Sequence, residues 1–122
     1  MIYPLSELVD RYSILCLKKE RTKNSKKIDA ECERFRLAIL AGVGTWVWYP
    51  TVIRKMKVIN GKIWDLESDI RKGKEKELGL EEVGRRAIKI RQLNKQRIAA
   101  KNKIAKMMGE FEEIKVDHGS AD

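Results

Sequence analysis

The chain has 122 residues, of which 37% are charged, and its 27 Lys and Arg outweigh 18 Asp and Glu to give a formal net charge of +9. One His and two Cys do not suffice for a Cys/His zinc site or a disulfide scaffold, and they do not favour histidine-based nucleophilic catalysis. No run of about 18 apolar residues occurs, and the opening residues lack the basic-then-apolar pattern of a secretory signal. We therefore expect a cytoplasmic protein with a single domain and no membrane span.

Apolar residues recur at helical spacing in four segments of the chain. The predicted helices extend, in chain order, over residues 4–21, 26–41, 50–70 and 80–108. The first is apolar on two opposite sides, so we expect it to be buried on both, within the domain or at a subunit contact. Pro4 suits the first turn of the first helix, because it has no amide hydrogen to leave unpaired. The second helix is capped by Ser25 or Asn24 and is stopped by Gly42 and Gly44. Residues 44–50 contain two Trp and are predicted to form a short strand or an extended loop.

The third predicted helix carries apolar residues in a strict alternation of four and three positions, which is typical of the seam of a coiled-coil hairpin. The seam residues are Val52, Met56, Ile59, Ile63, Leu66 and Ile70. The predicted fold class is therefore all-α: a long antiparallel helical hairpin (residues 50–109) with two shorter N-terminal helices packed on it, in an oligomeric bundle. We assign residues 1–114 to a single helical domain and residues 115–122 to an acidic flexible tail.

Basic residues are concentrated in two parts of the chain. The fourth predicted helix contains nine Lys and Arg between residues 85 and 106 with no acidic residue among them, and a second basic run covers residues 18–27. The candidate basic surface consists of Lys18, Lys19, Arg21, Arg85, Arg86, Lys89, Arg91 and Lys95. Such segregation is typical of a protein that binds a polyanion. The alternative is a solvated helix face that forms salt bridges with acidic helices.

The apolar side of the fourth predicted helix is interrupted by three polar residues, which are Asn94, Arg97 and Lys101. A charge in such a seam needs a carboxylate, an anion or water beside it, because an unpaired buried charge costs several kcal/mol. Antiparallel pairing of the third and fourth predicted helices places these three polar residues near three aromatic residues, which are Trp46, Trp48 and Tyr49. These six residues form a candidate ligand-binding pocket that stacks a base or sugar ring and holds a phosphate. The alternatives are pairing with Glu7 or Asp10 of the first helix, or exposure to water.

Two carboxylates of the first helix, Glu7 and Asp10, lie three residues apart on one helix face. The segment from Leu5 to Leu15 is similar to the E-x-x-D helix of the all-α nucleoside triphosphate pyrophosphatases. This resemblance implies a magnesium-dependent hydrolase in which Glu7 and Asp10 are metal ligands. The E-E-x-x-E helix of that family is not matched, because Glu31-Cys32-Glu33 lacks its spacing. The alternative is that Glu7 is favoured in a first turn by the helix dipole.

Two stretches together resemble small helical proteins of unknown function from bacteria and phages. The first, from Leu5 to Lys18, matches their opening pattern G-E-L-I-D-[KR]-x-[ST]-I-L-x-[IL]-K, with Ser6 in place of the Gly. The second, from Ile90 to Arg97, is similar to their late L-N-x-x-R segment. Some of these relatives sit beside glycosyltransferases of surface polysaccharide synthesis, which implies an accessory role. Because the polar positions of both stretches include the residues discussed above, we expect the first and fourth predicted helices to meet through them.

The sequence favours a non-enzymatic binding protein for a polyanionic ligand, which is nucleic acid or a nucleotide-like anion. The basic helix and the aromatic and basic pocket would bind this ligand, without a cofactor. We also expect a homo-oligomer, because the predicted hairpin exposes more seam than the chain can cover. Two alternatives stay open. One is the magnesium-dependent pyrophosphohydrolase, and the other is a helical scaffold that contacts a protein partner, such as a glycosyltransferase, through Ile14 and Leu17.

Overall fold

The computed structural model describes residues 3–23, 25–43 and 49–109, and helices account for 89% of them. The helices are α1 (Leu5–Arg21), α2 (Lys26–Val43), α3 (Tyr49–Arg71), α4 (Glu75–Leu78) and α5 (Leu80–Met107). No strand occurs in these ranges, so the all-α prediction is confirmed for them. None of these helices has both the length and the apolar character needed to cross a bilayer. The predictions for residues 44–48, which include Trp46 and Trp48, and for the tail at 115–122 fall outside the described residues.

The helix boundaries agree with the predicted ones except at the end of α2 and between α3 and α5. Ser25 caps α2 as predicted, because its hydroxyl oxygen accepts the Ile28 backbone N–H at 3.1 Å. Of the two glycines predicted to stop α2, Gly42 lies inside the helix, which continues to Val43, and Gly44 falls outside the described residues. An added Cβ at Gly42 would lie at an ordinary contact distance, 3.5 Å, from Leu5 Cδ1 of α1. The short helix α4 was not predicted, and it lies within the connection between α3 and α5.

The central element is α1, which packs against α2, α3 and α5. Its sequence is apolar on two sides. Leu17, on the second side, is 2% exposed and approaches α3 at Gly61, where an added Cβ would lie 3.6 Å from Leu17 Cδ2. Ile14, on the same side, is half-buried. Of the two residues of the scaffold alternative, Leu17 is therefore covered inside the domain and Ile14 is partly accessible.

The apolar core lies where α3 and α5 meet α1 and α2. Its buried residues are Leu5, Leu8, Val9, Ile39, Val43, Met56, Ile59, Ala100 and Ile104. Full burial of one such large side chain stabilises the fold by about 1.5–3 kcal/mol. The apolar pattern of α5 includes Ala87, Leu93 and Met107, of which Ala87 and Met107 are exposed while Leu93 is 2% exposed.

Two glycines in helix interiors are expected to respond oppositely to substitution. No atom lies within 4 Å of a Cβ added at Gly84, so Gly84→Ala should raise the free energy of unfolding by about 0.5–1 kcal/mol, because alanine loses less backbone entropy. A Cβ at Gly61 would lie 3.2 Å from an Arg21 guanidinium nitrogen, so Gly61→Leu should lower the free energy of unfolding by about 1–3 kcal/mol through overpacking. Urea denaturation measures both changes, and a stabilised Gly61→Leu variant would contradict the close α1–α3 approach.

Candidate functional site

The polar residues that interrupt the apolar side of α5 face carboxylates of α1. Lys101 Nζ lies 2.8 Å from Glu7 Oε2, and an Arg97 guanidinium nitrogen lies 3.5 Å from Asp10 Oδ2. Glu7 and Asp10 are one turn apart on α1, and Arg97 and Lys101 are one turn apart on α5, so the pairs match when the two helices are antiparallel. The expectation that these two helices meet through these residues is confirmed. Of the alternatives open from the sequence, the described structure shows pairing with internal carboxylates.

Asp10 is the most deeply buried charged residue of this contact, with 3% of its surface exposed. The Asn60 side-chain N–H donates to Asp10 Oδ1 at 2.9 Å and to the Ser13 hydroxyl oxygen at 2.8 Å. The Ser13 hydroxyl itself donates to the Asp10 backbone carbonyl at 2.6 Å. We call these residues, with the two ion pairs, the buried polar cluster; its members are Glu7, Asp10, Ser13, Asn60, Arg97 and Lys101. The cluster joins α1, α3 and α5, because the buried Asp10 carboxylate of α1 contacts Asn60 of α3 and Arg97 of α5 at the same time.

The Glu7 carboxylate is less buried and contacts two cations. Arg11 Nε donates to Glu7 Oε1 at 2.9 Å, while Lys101 lies at the other carboxylate oxygen. Burial alone would raise the pKa of Glu7, but hydrogen bonds to Lys101 and Arg11 and the charges of both lower it below its ordinary value overall. Glu7 is therefore an anion in the folded protein at neutral pH, and it neutralises the most buried lysine of α5.

This pairing predicts an acid-dependent loss of stability. Because the pKa of Glu7 is lower in the folded state than its ordinary value of 4.5, its contribution is present above that pH and is lost as the pH falls through the folded value. We expect Glu7→Gln to lower the free energy of unfolding by about 1 kcal/mol at pH 7 and by progressively less as the pH falls below 4.5. Urea denaturation at pH 7, 5 and 3 measures this. Glu75→Gln is the control, and an equal effect of Glu7→Gln at pH 7 and pH 3 would contradict the assignment.

Under the magnesium alternative, the metal ion would compete with side chains of this chain for the carboxylates of Glu7 and Asp10. Glu7 and Asp10 are each contacted by a cationic side chain of α5, and Asp10 also accepts a hydrogen bond from Asn60. A magnesium ion bound there would have to displace these partners, although it prefers open oxygen ligands with several waters. In the ranges that the structure describes, no group of three or more His, Cys, Asp or Glu is arranged to hold a metal ion.

Asn94 and Arg97 line a cleft of about 300 Å³ between α1, α3 and α5. Lys18, Asn60 and Trp64 also form its walls, and we call it the Trp64 cleft. The indole of Trp64 is contacted from one side by Arg71, whose guanidinium carbon lies 5.8 Å from the ring centroid. The cleft combines an aromatic face, amides and cations with one carboxylate, that of Glu67, and its aromatic residue is not one of the three predicted for the pocket.

The six predicted pocket residues are distributed over different places. Lys101 is one turn beyond Arg97 and pairs with Glu7. Tyr49 lines a separate cleft of about 310 Å³ with Tyr12 and Ile39, because α3 begins at Tyr49 and its first turn faces α1 and α2. In that second cleft, burial raises the pKa of Tyr12 to about 12. The structure thus brings Asn94 and Arg97 together and places Tyr49 elsewhere.

Asn60 and Trp64 are the site residues that the sequence analysis missed. They lie four positions apart on α3 and thus on one helix face. Antiparallel pairing of the third and fourth predicted helices about a turn near Lys76 puts Arg97 level with Lys55. The ion pair between Arg86 and Asp69 (3.5 Å) instead marks a register shifted by about three residues. The sequence signal for this site was Asn60, a polar residue that directly follows the seam residue Ile59.

Half of the predicted basic surface takes part in ion pairs. Arg21 lies 2.6 Å from Asp65, Lys19 lies 3.3 Å from Asp29, and Arg85 lies 2.9 Å from Glu82. Arg86 is only 19% exposed at its side chain and contacts both Glu82 and Asp69. For these four residues the structure shows salt bridges with acidic residues, which was the alternative to polyanion binding. The other four are Lys18, Lys89, Arg91 and Lys95, and none of them lies within ion-pair distance of a carboxylate in the described ranges.

The basic residues of α5 divide between two sides of the helix. Arg86, Arg97 and Lys101 turn inward and meet acidic residues. The outer side presents exposed polar and basic residues, which we call the outer face of α5: Lys89, Gln92, Lys95, Gln96, Lys103 and Lys106. From Lys89 to Lys106 this face is about 26 Å long at 1.5 Å per residue. In the sequence the nine basic residues of α5 form one group. In the structure Arg86, Arg97 and Lys101 are internal, whereas the lysines of the outer face of α5 are exposed to solvent.

No protein-family model, no curated protein and no solved structure matches this chain. The resemblance to the small bacterial and phage proteins therefore stays a prediction.

Proposed function

We propose that this protein is a non-enzymatic binding protein for a polyanion, and that nucleic acid binds along the outer face of α5. The observation that supports it is the row of exposed lysines on that face. Within the described part of the chain, no carboxylate lies at ion-pair distance from Lys89, Lys95, Lys103 or Lys106. Unpaired, solvated lysines on a rigid helix are available to contact phosphates without first breaking an internal salt bridge.

The dimensions of the outer face suit an extended phosphate backbone. Duplex DNA carries one charge per about 1.7 Å of axis, so a face of about 26 Å spans many phosphates. The two glutamines between the lysines add donors for phosphate or sugar oxygens. The inward residues Arg86 and Arg97 do not contribute, since acidic residues of the same chain already neutralise them. The proposed affinity thus arises from the solvent-facing half of the basic residues.

The test is the salt dependence of binding to a labelled oligonucleotide, measured by fluorescence anisotropy. The variant carries Lys89→Gln, Lys95→Gln and Lys103→Gln, which keep side chains like those of Gln92 and Gln96. If three phosphate contacts are lost, the slope of log K against log salt should decrease by about 2.7 for duplex DNA, at about 0.9 per contact. Affinity at low salt should fall accordingly.

The matched control removes three charges elsewhere, with Lys23→Gln, Lys26→Gln and Lys27→Gln. These lysines are exposed and lie around the start of α2. The proposal expects a much smaller change in slope for this control. Equal losses in both triple variants would contradict a specific role of the outer face, because net charge alone would then explain the binding.

We also propose that α3 and α5 form an antiparallel hairpin within a homo-oligomer. The hairpin is supported by contacts at both ends: Arg86 of α5 reaches Asp69 near the end of α3, and Val52 near its start lines one cleft with Ile104. The oligomer is supported by exposed apolar side chains on α2, where Leu37 is 53% and Leu40 40% exposed. Light scattering of the intact chain measures its mass in solution, and the mass of a monomer would contradict the proposed homo-oligomer.

A further inference from the structure

We propose that the Trp64 cleft holds one base of a single-stranded nucleic acid, with the base stacked on Trp64 and the adjoining phosphate beside Arg97. This inference deepens the proposed function and rests on it. The outer face of α5 explains attraction to any polyanion, whereas the Trp64 cleft would explain a preference for unpaired strands.

Arg97 has hydrogen-bonding capacity that its internal partner does not use. A guanidinium carries five N–H donors, yet within the described ranges the one charged partner of Arg97 is Asp10, at 3.5 Å. Its Nε is buried and has no hydrogen-bond partner there. The side chain is nevertheless 28% exposed and lines the Trp64 cleft. A phosphate in the cleft would give the exposed N–H donors of this guanidinium, though not the buried Nε, a stronger, charge-assisted partner.

The remaining walls supply the groups that recognise a base. Trp64 offers an aromatic surface, and the contact of Arg71 with it, at 5.8 Å, is near the outer limit of about 6 Å for a cation–π interaction. Arg71 is exposed and is also paired with Glu67, so a base can replace it on the indole at small cost. Asn94 has no hydrogen-bond partner among the described residues and faces the same cleft. Its amide can both donate to and accept from the edge of a base.

The size of the cleft favours a single unstacked base. Its volume of about 300 Å³ is at the lower end of small-molecule pockets. A base within a duplex is stacked on both faces and cannot enter such a cleft, whereas a base of a single strand can be turned out to stack on an aromatic side chain. Asn94 and Arg91 are three residues apart, so they are neighbours on one side of α5, and the half-buried Arg91 adds a cation next to Asn94.

The experiment compares Trp64→Leu and Trp64→Phe for binding of a labelled single strand and of the corresponding duplex. Loss of one base–aromatic stack should weaken single-strand binding by about 5- to 100-fold in Trp64→Leu, with duplex binding unchanged. Trp64→Phe keeps an aromatic face and should retain most of the affinity. Circular dichroism and thermal unfolding of both variants establish that they fold.

The outcomes separate this inference from the proposed function. Unchanged single-strand binding in Trp64→Leu, or equal losses for single strand and duplex, would overturn the role of the cleft. If the triple variant of Lys89, Lys95 and Lys103 still loses binding in that case, the outer face remains the binding surface. An Asn94→Ala variant gives a second measurement, and it should weaken single-strand binding while leaving duplex binding as it is.

Discussion

Replacement of Asp10 by alanine is expected to lower the free energy of unfolding by about 3 kcal/mol. The carboxylate is 3% exposed, accepts a hydrogen bond from Asn60 and faces Arg97. Its removal leaves a buried amide and a partly buried guanidinium without their acceptor, and unsatisfied buried groups carry the full penalty of desolvation. Loss of one partner of a buried ion pair lowers the free energy of unfolding by about 3–5 kcal/mol. We expect the low end of this range, because the Arg97 side chain keeps access to water. Urea denaturation at pH 7 gives the value.

A double-mutant cycle identifies how much of this loss comes from the ion pair. Asp10→Ala, Arg97→Ala and the double variant should show a coupling of about 1–2 kcal/mol, since removal of both partners leaves no uncompensated charge. Arg11→Ala is the matched control: its pair with Glu7 is exposed and joins residues four apart on one helix, so its loss should be about 0.5 kcal/mol or less. An Asp10→Ala effect as small as that of the control would mean that the buried polar cluster contributes nothing to stability.

The Met56→Ala variant is expected to lose about 3 kcal/mol through a different mechanism. Met56 is completely buried in the core between the helices, so truncation removes apolar contacts and leaves a cavity. Val58 lies two residues further along α3 and is 58% exposed, and Val58→Ala should change the free energy of unfolding by less than about 0.5 kcal/mol. Chemical denaturation of both variants measures the difference. Similar values for the two would contradict the orientation of α3.

The sequence predicted most of the helices because their apolar spacing and capping residues act locally. The Pro4 and Ser25 signals placed the starts of α1 and α2 correctly to within a residue. At the end of α2 two glycines were candidates, and the helix passes through Gly42 and ends at Val43. Local patterns do not distinguish a glycine that ends a helix from one that the helix includes.

The site was predictable in part, since polar residues in an apolar seam must find partners. Arg97 and Lys101 were identified in this way, and their carboxylate partners in α1 were among the alternatives. Trp64 was missed because its place beside Arg97 depends on the register between α3 and α5. That register depends on how the residues between α3 and α5 fold, and the short helix α4 among them is not evident from apolar periodicity.

The buried polar cluster also has a consequence for the order of events on the ribosome. Glu7 and Asp10 are synthesised on the order of 90 residues before Lys101 and Arg97, although they lie in contact in the finished molecule. While the chain is elongating, α1 can dock on α2 and Glu7 can pair with Arg11 of the same helix, but Asp10 has no cationic partner until the last long helix has left the exit tunnel. Nascent chains that stall before that point should expose the Asp10 side of α1 to proteases and chaperones, and release of the completed chain should cover it.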